Sequence, residues 1–162
     1  MARRTIKVTN YSDIMEEYDA VAAITPGMLL ELTSAGKVQA HSSAGQNLLH
    51  MFACEDELQG KSIDDNYAAD DKVQVWVPGR GDQVDAILVD GQNVAIGDFL
   101  ESNGDGKLKK HTIDGSASGE PDPVYSNQIV GVALEAVDLS DSSGGESSGD
   151  LGYDKRIKVR II

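Results

Sequence analysis

Apolar and polar residues alternate with period two along much of the chain, which is the mark of half-buried strands. The last eight residues show it best. Ile157, Val159 and Ile161 face one way and Arg156, Lys158 and Arg160 the other. In Lys72–Val77 the valines at 73, 75 and 77 share a face and Trp76 takes the opposite one. Further strands are predicted at Arg4–Thr9, Met28–Thr33, Lys37–His41, Leu48–Cys54, Gln83–Val89, Val94–Glu101, Lys107–Ile113 and Gln128–Val137. Their connections carry turn chemistry: Thr25-Pro26-Gly27, Ser34-Ala35-Gly36, Asp90-Gly91 and Asn103-Gly104-Asp105-Gly106. Pro presets φ in such turns and Gly accepts positive φ. Tyr11–Ala23 breaks the pattern and predicts a short helical turn, with Ser12 as cap and Ile14, Met15 and Tyr18 as its apolar positions.

Short strands joined by glycine turns imply an all-β fold, a small β-barrel or sandwich with minimal helix. The expected organisation is an extended N-terminal arm with the helical turn at 1–23, then one β-barrel domain at 24–162. Glu55–Asp71 reads as a surface loop, with seven acids among seventeen residues. Asp138–Asp150 holds five serines, three glycines and four acids, the composition of a flexible acidic loop.

Charge sharpens this picture. The 162 residues hold 14 Lys and Arg against 27 Asp and Glu, a net charge of −13. A surface of that sign repels nucleic acid and anionic membrane, so neither is an expected partner. The bases are unevenly placed: Arg3, Arg4, Lys7, Lys155, Arg156, Lys158 and Arg160 lie in the first seven and last eight positions, where there is no acid. The termini are therefore expected to lie against the acidic body or to reach an acidic partner. The first ten residues lack the apolar block of a secretory leader. Cys54, the one cysteine, excludes an internal disulfide and a cysteine-based zinc site and suits synthesis in a reducing compartment.

Residues that could carry chemistry are scattered. His41, His50 and His111 form no ligand spacing, and Ser42 and Ser43 beside His41 point to opposite strand faces. Glu101–Gly106 imitates half a calcium loop, but Thr112 stands where the bidentate Glu is needed. Arg80-Gly81-Asp82 is an integrin-type tripeptide made of turn residues. No metal or cofactor is expected. Gly60-Lys61-Ser62-Ile63-Asp64-Asp65-Asn66-Tyr67 resembles the Gly-x-Ile-Asp-x-x-Tyr segment of trimeric dUTP diphosphatases, in which the Asp activates water and the Tyr stacks on deoxyribose. The Gly is one residue too distant here, and the phosphate-binding Arg-Ser-Gly segment is missing. A nucleotide hydrolase of that type is one alternative; a ligand-binding β-barrel module is another. A swinging-arm carrier domain, suggested by Val94–Asp98, would need a lysine at a hairpin tip, and Lys107 lacks the setting.

The order of segments carries a broader resemblance. Ile24–Leu29, the hairpin ending Lys37–His41, the loop Glu57–Asp65, then Asp71–Pro78, Gly81–Leu88, Val94–Leu100, Val132–Val137 and Lys155–Ile161 together resemble the capsid decoration, or cement, proteins of tailed bacteriophages. The resemblance implies a structural virion protein and not an enzyme. Such a protein is made in the host bacterial cytoplasm and sits on the outer surface of an icosahedral capsid. It binds as a homotrimer at three-fold and quasi-three-fold positions, bridges major capsid protein subunits and stabilises the expanded shell. The segment expected to engage the capsid is the arm, through Arg3, Arg4, Ile6, Lys7 and Val8, while the C-terminal strand belongs to the barrel.

Overall fold

Residues 5–112, 125–141 and 154–162 are described by a computed structural model. In chain order the strands are β1 (Lys7–Thr9), β2 (Ile14–Asp19), β3 (Leu30–Leu32), β4 (Val38–Ala40), β5 (Phe52–Ala53), β6 (Lys72–Val77) and β7 (Gln83–Leu88). There follow β8 (Asn93–Val94), β9 (Phe99–Ser102), β10 (Leu108–Lys110), β11 (Ile129–Ala133), β12 (Val137–Asp138) and β13 (Lys155–Ile161). The one helical element among the described residues is a 3-10 turn at Glu57–Gln59.

Strands β7, β10, β9, β11 and β13 close on one another, because β13 pairs with β7 as well as with β11. The all-β barrel expected from the sequence is therefore present. β13 is antiparallel to β7 over Lys155–Arg160, and its alternation matches burial: Ile157, Val159 and Ile161 face the core. Closure removes free edges from these strands. β1 lies on the other edge of β7, at Gln83 and Val84, beyond the point where β10 meets Leu88.

A second sheet, β2-β6-β5, packs beside the barrel, with the β3–β4 hairpin against it. β6 is buried on both faces. Trp76 and Phe52 join the barrel core, while Val73, Val75 and Ala53 join a second cluster with Ile24, Leu30 and Tyr67. Two cores thus share one sheet. Gly27, at φ 94°, lets the Thr25–Gly27 turn press against β7: a Cβ there would come within 3.0 Å of Asp85 O and 2.5 Å of Arg156 Nη1.

Several expectations are corrected. Tyr11–Ala23 contains no helical turn; Ile14–Asp19 is β2, paired residue for residue with β6. Val94–Glu101 is broken by a turn into β8 and β9, and Gln128–Val137 into β11 and β12. The acidic loop begins later than 138: Asp138 is in β12, and Leu139 is buried with its N–H donated to Gln92 O. Its remainder from 142 lies outside the described residues.

Candidate functional site

The N-terminal segment was the expected capsid-binding element, and Thr5–Asp13 is tied into the fold. Ile6 is fully buried in the barrel core. Its N–H donates to the Glu55 carboxylate (3.1 Å) and its carbonyl accepts from Asp85 N–H (2.9 Å). Lys7 pairs across from Val84 and its Nζ lies 3.3 Å from Asp13; Val8 is half-buried. Two apolar side chains suffice because main-chain bonding to β7 supplies the rest. Ile6 is withdrawn from any surface a partner could touch, Lys7 and Val8 sit on a fixed strand, and Arg3 and Arg4 lie outside the described residues.

The following turn is clasped by Asp82. This carboxylate accepts N–H bonds from Tyr11, from Ser12 (3.1 Å) and from Gly79 (2.7 Å), and it is fully buried. Ser12 Oγ donates to Val77 O, and Trp76 Nε1–H donates to Ser12 O at 2.9 Å. The Arg80-Gly81-Asp82 tripeptide is consequently a structural turn whose acid is sealed from solvent.

The other chemistry-bearing residues are likewise occupied. Tyr67, expected at a sugar face in the nucleotide reading, is buried and its hydroxyl donates to Cys54 O at 2.7 Å. The depression beside it, of about 560 Å³, is lined by Glu55, Glu57 and Asp64 with Lys61. Three carboxylates around one ammonium repel a triphosphate. Arg156, expected on the outer face of β13, is covered by two loops: its guanidinium donates to Pro26 O and to Ile63 O (2.6 Å) and lies 3.8 Å from Asp64. Lys107 is held 2.7 Å from Asp154; burial would lower its pKa, but this partner and Asp105 hold it above the ordinary lysine value.

One pair has no signal in the local sequence. His41 Nδ1 lies 2.8 Å from Ser102 Oγ, and Nε2 lies 3.3 Å from Asn47 O and 4.0 Å from Glu31. Ser102 Oγ also accepts from Gly104 N–H, and both residues are buried. A nucleophile needs access to its substrate; this pair instead joins the loop after β4 to the β9–β10 hairpin. Sixty-one positions separate the two residues, so no local spacing could reveal them.

The exposed apolar side chains lie elsewhere. Among them Tyr11, Ile14 and Met15, at 82%, 56% and 38% exposure, fall at or just before the start of β2, Ile14 and Met15 on opposite faces of the strand. Others, such as Leu49, Leu58 and Ile96, are scattered over the loops. β2 is the outer strand of its sheet, and its first four residues are all exposed.

No protein-family model matches the chain, and no curated protein does. Its fold is similar to that of a solved structure, the N base of the head fiber protein gp8.5 of bacteriophage phi29. The TM-score is 0.51 at 13% identity, over 92% of this chain and 93% of that one. The likeness therefore covers most of both chains and concerns the fold.

Proposed function

We propose that this chain is a phage structural protein of the virion, a decoration protein that binds the outside of an icosahedral capsid and stabilises the expanded shell. The carrying observation is the end-to-end likeness of fold to the base of a phage head fiber. The arrangement of side chains supports the same reading. His41, the Tyr67 hydroxyl and Asp82 are engaged in holding loops and strands together, as befits a scaffold and not an enzyme. A net charge of −13 gives the exterior self-repulsion.

In this reading the major capsid protein is the partner, and a homotrimer at three-fold and quasi-three-fold positions is the bound form. The test is co-sedimentation with empty expanded shells of the parent phage, followed by cryo-electron microscopy of the pellet. Added density on the outer surface at those positions, with a raised shell-disruption temperature, is the expected result. Protein that stays in the supernatant at micromolar concentration would refute it.

A further inference from the structure

β2 is a sheet edge that no described part of the chain covers. The alternation of antiparallel hydrogen bonds identifies which of its groups point outward. Cys54 N–H donates to Gln74 O at 2.8 Å, so the even-numbered residues of β6 bond toward β5 and its odd-numbered residues toward β2. Ala20 N–H donates to Asp71 O at 2.9 Å, continuing the same ladder. Ile14, Glu16 and Tyr18 therefore commit their backbone groups to β6. Met15 and Glu17 turn N–H and C=O away from the sheet, and among the described residues no strand takes them up. Past Asp19 the edge is closed, where Val21 N–H donates to Val38 O.

We infer that this edge accepts an extended, cationic segment of the shell subunit as an added strand. The inference rests on the shell-binding reading above. It also reverses the direction expected from the sequence, because this chain supplies the edge and the partner supplies the strand. Main-chain bonds to Met15 and Glu17 give such an addition its affinity, and side chains select the occupant. Tyr11–Asp19 holds four acids and no base, so the complementary strand carries Lys or Arg. The exposed Tyr11, Ile14 and Met15 offer apolar contact at one end. Charged edges ordinarily deter strand addition, but carboxylates deter neutral or acidic strands and attract a basic one.

The test uses two variants of the full chain against empty expanded shells. Glu17→Pro removes an outward N–H and no bond to β6, a placement that edge strands tolerate. Glu16→Lys with Glu17→Lys reverses the charge and keeps every backbone bond. Both variants are expected to keep the wild-type circular dichroism and lose about tenfold or more in shell affinity, which corresponds to ~1.4 kcal/mol. In wild type, the Met15 and Glu17 amides should become slow to exchange on binding. Wild-type affinity in both variants overturns the inference while leaving the shell-binding reading intact. So does a loss of self-association with shell binding unchanged, which assigns the edge to a second copy. Failure of the wild type itself to bind shells removes the shell-binding reading and this inference with it.

Discussion

Replacing Asp82 with Ala should loosen the join between the N-terminal segment and the barrel. The carboxylate accepts three backbone N–H groups, from Tyr11, Ser12 and Gly79, and is itself fully buried. A buried donor left without a partner costs ~1–3 kcal/mol. These donors are only part-buried, and water can enter the space vacated, so the low end applies: ~1 kcal/mol each and ~3 kcal/mol in total. For a chain of this size that lowers Tm by roughly 6–12 °C. Asp82→Asn keeps the shape and one acceptor oxygen, and should lose about half as much. Trp76, the single tryptophan, donates to Ser12 O inside the same clasp. Urea unfolding followed by its fluorescence therefore reads both the stability and the local environment. A loss below ~0.5 kcal/mol in Asp82→Ala would show that water substitutes for the carboxylate and that the clasp argument is wrong.

Burial pushes the Cys54 thiol up to about 12, so the native protein should resist thiol reagents at pH 8 and react at once in urea; rapid native labelling would contradict this. Gly131→Ala should cost ~2 kcal/mol or more, because a Cβ there would clash with Arg160 O and prise β11 from β13. Unchanged urea stability would show that the barrel yields at this point. Burial also holds the His50 imidazole below its ordinary value, against the opposing bond to Val130 O. The unfolded chain then takes its proton first, so this contribution is complete above about pH 6.5 and is lost as the pH falls toward the folded-state value. His50→Gln should flatten that part of the stability–pH profile; parallel profiles for the two proteins would refute it.

The readable parts of the sequence were those whose pattern and burial are local. The alternation in β13 and the glycine turns at Gly27, Gly36 and Gly104 were legible because each needs only its neighbours to be understood. β2 was misread as helix for a definite reason. Ser12, the following glutamates and the spacing of Ile14, Met15 and Tyr18 satisfy a helix start, but a six-residue register with β6 outweighs that local preference. The N-terminal segment was misread as a free arm because its anchors, Glu55 and Asp82, lie 49 and about 70 positions away. Trp76 lies on the face opposite its valines, as the alternation in Lys72–Val77 implies. Both faces are interior, because a second cluster forms beyond β6, and no local pattern signals that. The basic termini are legible in the sequence as charge alone; the exposed edge of β2 is hidden behind the helix reading of the same residues.

The charge division along the chain has a spatial counterpart that explains why the edge can stay open. β1 and β13 bring the basic termini together on β7, where Lys7 meets Asp13, Arg156 is enclosed near Asp64, and Lys107 meets Asp154 at the foot of β13. The more exposed of these, Lys7–Asp13, contributes only ~0–1 kcal/mol, so its main effect is to place charge and not to hold the fold. Near β2 the acids outnumber the bases: Lys7 and Lys72 pair with Asp13 and Asp19. The hydrogen bonds of Glu16 and Glu17 go to neutral groups, the Tyr18 hydroxyl and the Gln74 amide, and Glu17 feels Lys72 only through space. Two copies adding edge to edge through β2 would bring Glu16 and Glu17 of each against those of the other. That arrangement is disfavoured without any loss of stability in the single chain. The carboxylates that disfavour self-pairing leave the outward groups of Met15 and Glu17 unclaimed for a strand of opposite charge, so one feature both discourages edge-to-edge pairing of copies and selects the occupant of the edge.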